Sequence, residues 1–166
     1  MGTILRYPFR PQEGSPAESE RKLAELQARG WKLTRMGFQL PERDQARGLE
    51  PEPDAEEVRL CTLFLYVHAL PRESFNERAD SYRLKHDVER WLEAAGCKRH
   101  ISNGALIVAA VRMGFPFRLF DPPHQKDAFF RMGLFWRWNG SSEVPLPVDL
   151  WPAHIRNGRT AQRARR

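Results

Sequence analysis

The sequence predicts an α+β domain: a small mixed or antiparallel sheet with helices on one face. The order of elements follows a ferredoxin-like β-α-β-β-α-β rhythm, plus one extra buried helix. Three observations carry this expectation. Ser15–Glu18 and Ser74–Glu77 have the Ser-x-x-Glu spacing of helix starts. The run "VRLCTLFLYVHA", 58–69, is aromatic, β-branched and nearly continuous in apolar character, as a central strand should be. Two further stretches, 31–40 and 131–138, alternate with the period of half-buried strands.

"TILRYPF", 3–9, reads as a first strand in which Pro8 points to an edge or an end. A helix follows. Pro16 suits the first helical position, Leu23 and Leu26 form its apolar stripe, and Gly30 supplies the stop. Trp31 to Leu40 reads as a second strand. Residues 41–57 hold three prolines, seven acidic residues and few apolar groups, which predicts a mobile acidic loop. The strong strand 58–69 comes next and ends at Pro71. The helix expected from Ser74 has apolar positions in two phases: Phe75, Ala79 and Tyr82, then Leu84, Val88, Trp91 and Ala95. It is either sandwiched or broken near Asp80–Ser81, and Gly96 ends it.

The stretch 103–113 is ambiguous. Asn103-Gly104 suits a hairpin, but Ser102 as a cap, the alanines at 105, 109 and 110 and Gly114 as a stop favour a helix. "FPFRLF" and "RMGLFWRW" then read as strands, and Pro145, Pro147 and Pro152 mark an irregular exit. The organisation is one α+β domain over 1–150 and a basic, flexible tail over 151–166.

Composition narrows the function classes. No apolar run reaches the length of a membrane span, so no membrane partner is expected. The N-terminus lacks a basic region followed by a long apolar stretch. With only Cys61 and Cys97, the chain has no disulfide framework, and a reducing, cytoplasmic setting is expected. The net charge of +6 is concentrated at one end. Residues 151–166 carry five arginines and no acid, so 1–150 is only +1.

The stretch "GCKRHISNG" places Lys98, Arg99 and His100 just before a charge-free run. A helix N-terminus offers unpaired N–H groups and partial positive charge, and Gly104 allows close approach to the backbone. With Ser102, this is the inventory of a phosphate site. It lacks the spacing of a nucleotide loop. The same residues also read as a polar connector in which Ser102 only caps. A recognition helix is excluded, because Ala105 to Val111 has no polar side chain to read bases.

The even positions of the expected strand, Phe64, Tyr66 and His68, suggest an aromatic platform for stacking bases, extended by Arg131, Phe135 and Arg137. The competing expectation is that the aromatic C-terminal third buries that face. Catalysis has little support. None of the five histidines forms a His-x-x-x-His or Glu-x-x-His pair, and Cys97–His100 lacks two further ligands for zinc. No metal, cofactor or catalytic residue is implied.

The reading that follows is a non-enzymatic, nucleic-acid-associated protein. Phosphates would be met by Lys98, Arg99 and His100, by Ser102 and Gly104 at the helix start, and by Arg156, Arg159, Arg163, Arg165 and Arg166. The alternative is a protein-binding adaptor, regulator or inhibitor of a larger complex, suited by the five tryptophans and the acidic loop. Nothing in the spacing fixes an oligomeric state.

Overall fold

The computed structural model describes residues 16–40, 50–76, 80–119 and 126–134. The expected strand 3–9, most of the acidic loop, Phe135 and Arg137, and the tail 151–166 lie outside them. The described elements run α1 (Pro16–Ala28), β1 (Lys32–Thr34), β2 (Gly37–Gln39), α2 (Ala55–His68), β3 (Ala69–Pro71), α3 (Ser81–Ala94), α4 (Asn103–Arg112), β4 (Phe117–Leu119), β5 (Ala128–Phe130) and β6 (Met132–Leu134). The mixed α+β class is as expected. Among the described residues the single sheet of a ferredoxin-like layer is not formed. The strands pair as three separate antiparallel ribbons, β1–β2, β3–β6 and β4–β5.

The largest correction is 58–69, which forms helix α2 rather than a central strand. Asp54 caps it, its carboxylate accepting from the N–H groups of Glu56 and Glu57 at 3.0 Å each. Those two acids also sit in the first turn, where the helix dipole favours negative charge. The buried residues Glu57, Val58, Leu60, Cys61, Phe64, Leu65 and His68 recur at three- and four-residue intervals. The last part of the acidic segment, 54–57, is therefore a cap and a helical turn. Chain extension resumes only at Ala69–Pro71.

Three helix ends match the glycine stops. Gly30, Gly96 and Gly114 all have positive φ. Each closes a Schellman motif, as in Gly96 N–H to Glu93 O (2.8 Å) and Cys97 N–H to Leu92 O (2.8 Å). The helix expected from Ser74 begins later, at Ser81, with Asp80 as cap. That is the break point between the two apolar phases. From there one stripe, Leu84, Val88, Trp91 and Leu92, is buried, while Tyr82 is exposed. The stretch 31–40 is a hairpin, with a turn at Arg35–Met36, instead of one strand.

Helix α4 is the hub. It packs against α1, α2, α3 and β2, and Ala105, Leu106, Ile107, Ala109 and Ala110 are fully buried. Small alanines let the neighbouring helices approach, and the larger core side chains Trp91, Phe64, Phe38, Phe117 and Phe130 fill the space around it. No described helix is long and apolar enough to cross a membrane.

Candidate anion-binding surfaces

The mouth of α4 holds a carboxylate of the chain itself. The Glu57 carboxylate, 5 % exposed, accepts from Ser102 N–H at 2.9 Å and from Arg35 Nη2 at 3.1 Å. Glu57 is fixed there by the first turn of α2, which Asp54 caps. Ser102 Oγ accepts the Ala105 N–H at 3.4 Å as the helix cap. Gly104 does permit a close approach, but of the protein's own backbone. Its N–H donates to Arg35 O at 3.0 Å, and a Cβ at this position would lie 1.8 Å from Thr34 O. Asn103 completes the seal: its Nδ2 donates to Met36 O (3.1 Å) and to Asp127 Oδ1 (2.9 Å). An external phosphate would have to displace Glu57 and the β1–β2 turn together.

The basic turn beside this mouth is largely neutralised. Arg99 Nη2 lies 3.5 Å from Asp54 Oδ1, and His100 Nδ1 lies 2.9 Å from Glu89 Oε1. Glu89 also accepts the Ile101 N–H at 2.9 Å, meets His86 Nδ1 at 2.7 Å and has Lys85 Nζ at 3.7 Å. Burial pushes the Glu89 carboxyl up, but the Ile101 N–H, His86 and Lys85 outweigh it. The group sits below the usual carboxylate range. Lys98 stays exposed.

The aromatic platform on 58–69 does not exist in the expected form. On a helix, Phe64 and His68 turn inward and pack on Trp91, with ring centroids 5.6 and 5.9 Å away. Tyr66 is left on the exposed side. Phe135 and the five tail arginines lie outside the described residues. Among the described residues no group of three or more His, Cys, Asp or Glu side chains is placed to hold a metal. Cys61 and Cys97 are free thiols, and burial raises the pKa of both.

A different surface gathers cations that form no ion pair among the described residues. In the β4–β5 ribbon, Phe117 faces Phe130 and Arg118 faces Phe129. Alternation turns the first pair into the core and places Arg118 outside. The β3–β6 ribbon pairs Pro71 with Met132. One step further, Arg72 N–H donates to Arg131 O at 3.0 Å, which sets two exposed arginines opposite each other. The stem of Arg72 runs over Gly133, where a Cβ would meet its Cδ at 3.4 Å.

The loop after β3 is pinned by Asn76, whose N–H donates to Phe130 O (3.2 Å) and whose Nδ2 donates to Met132 O (3.1 Å). It carries Phe75 to within reach of both arginines. Arg118 Cζ is 5.1 Å and Arg131 Cζ 4.9 Å from the Phe75 centroid, and Arg118 Cζ is 5.4 Å from that of Phe129. Lys22 on α1 joins the edge, donating to Phe117 O at 2.6 Å above the Phe117 ring. Burial, and then Arg131, lower the Lys22 pKa against the opposing pull of Glu18 and Glu25. Arg131 is thus close enough to be felt as a like charge.

None of Lys22, Arg72, Arg118 and Arg131 has a described carboxylate within ion-pair distance. Arg21, Arg35, Arg59, Arg83, Lys85, Arg90 and Arg99 each do. Of the four, the sequence singled out only Arg131. The available signal was an arginine flanked by buried aromatics in two short runs, "FRL" and "FFRM". Phe75 and Arg72, brought in by the loop after β3, had no such signal. Comparison with protein-family models, with curated proteins and with solved structures finds no match for this chain.

Proposed function

We propose that this protein is a binding protein for the phosphate backbone of nucleic acid, and that the surface of Lys22, Arg72, Arg118 and Arg131 is its contact face. The observation that carries this reading is the clustering of four cations, none of them in an ion pair among the described residues, although Glu18 and Glu25 act on Lys22 through space. Like charges set opposite each other across a ribbon cost stability. A polyanion offsets that cost and releases its condensed counterions on binding. The aromatic rings under the guanidinium groups support the same reading, because a guanidinium laid on a ring keeps its N–H edge for phosphate oxygens. The arginines of 156–166 add charge of the same sign to the chain.

The test is fluorescence anisotropy with a labelled oligonucleotide at several salt concentrations. With four contacts on a single strand, log K falls against log salt with a slope of about −3. The double variant Arg118→Ala/Arg131→Ala reduces that slope by about 1.4 and weakens binding at low salt. Equal affinity and equal slope in parent and variant overturn the proposal. Loss of binding on removal of 155–166, with no effect of the double variant, overturns this face as the contact surface.

A further inference from the structure

We infer that this surface selects single strands, by stacking an unpaired nucleobase on the outer face of Arg131. The inference rests on the nucleic-acid reading above. It is carried by the order in which flat groups are placed. Phe129, Arg118, Phe75 and Arg131 make successive ring–guanidinium contacts, with Cζ-to-centroid separations of 5.4, 5.1 and 4.9 Å. The inner end is closed, since Phe129 is 7 % exposed. Arg118 has a ring at two positions around it. Arg131, which is exposed, has only Phe75 among the described residues.

The next member of such a series is a flat π group, and nucleobases are the π groups that a phosphate backbone carries. A duplex keeps those faces stacked inside its own helix. A single strand presents them at a smaller cost. Phe117 cannot serve instead, because Lys22 covers its ring and the Phe38 ring stacks on it at 5.9 Å. A base on Arg131 leaves Arg72, its neighbour across the ribbon, and Lys22, on the Phe117 side, to meet the flanking phosphates.

The experiment uses the full chain and three labelled probes of equal phosphate number: a single-stranded oligonucleotide, a duplex, and an abasic sugar-phosphate oligomer. The single strand binds about 10-fold more tightly than the other two, the order expected for one stacked base. Arg131→Lys keeps the charge and removes the flat face. It removes most of that preference, weakening single-strand binding more than it weakens duplex or abasic binding. Far-UV circular dichroism checks that the variant folds. Equal binding of single strand and abasic oligomer, or an Arg131→Lys variant that keeps the full preference, overturns the inference and leaves the nucleic-acid reading standing. Failure to bind any of the three probes overturns both.

Discussion

Glu57→Ala opens the mouth of α4, and its cost can be built from the contacts it removes. The buried Ser102 N–H loses its acceptor, which costs about 1–3 kcal/mol. The α4 N-terminus loses a compensating charge, worth about 0.3–1 kcal/mol. The Arg35 ion pair goes too, but Arg35 is 42 % exposed, so that part is no more than about 1 kcal/mol. The expected loss is about 2–4 kcal/mol. Glu57→Gln keeps an acceptor for Ser102 and removes only the charge, so it costs about 1 kcal/mol. Urea unfolding followed by tryptophan fluorescence measures both, with Trp91 as the buried reporter. An alanine variant within 1 kcal/mol of the parent, or a glutamine variant as damaging as alanine, refutes the reasoning that an internal carboxylate completes this helix start.

Three further outcomes are expected. Gly104→Ala drives a methyl group into Thr34 O, a backbone atom that cannot rotate away; it costs about 3 kcal/mol, and an unchanged melting temperature would show that the hairpin does not lie on α4 as described. Burial holds His68 down to about 4 from an ordinary 6.5. The unfolded chain therefore takes up the proton first, so stability is full above pH 6.5, falls between pH 6.5 and 4, and is flat below. The loss reaches at most about 3 kcal/mol. In His68→Phe this share of the acid sensitivity disappears, and identical pH profiles for parent and variant would contradict a neutral buried imidazole. Ser102→Ala removes the cap on Ala105 N–H and costs about 1 kcal/mol by chemical denaturation; a cost below a few tenths would mean that Glu57 alone satisfies that end.

The elements legible in the sequence are those set by local chemistry. The glycine stops, the Ser102 cap and the helix over 103–112 depend on residues within one turn of each other. The misreading of 58–69 has an equally local cause. Leucines and aromatics on every second position suggest two faces, yet 57, 61, 64 and 68 also mark a helical stripe. Asp54 with Glu56 and Glu57 supplied the start signal inside a segment read as loop. Length decides between the two periods, because 14 residues suit a helix better than a strand. The expected start at Ser74 is not used: the Arg72 and Asn76 N–H groups donate to Arg131 O and Phe130 O, so this segment follows the ribbons rather than a helical turn.

The candidate site divides in the same way. The sequence alone favoured a helix start at Ser102–Gly104, readable as a phosphate site or as a polar connector that Ser102 only caps, and determined that the chain carries excess positive charge. Only the tertiary structure decided which anion fills that mouth. Glu57 lies 45 residues away, and no local pattern reports a contact across that separation. It also decided which cations remain uncompensated. Whether a charge is paired depends on what packs beside it, so Arg99 is paired with Asp54 and Arg118 is left to a ring.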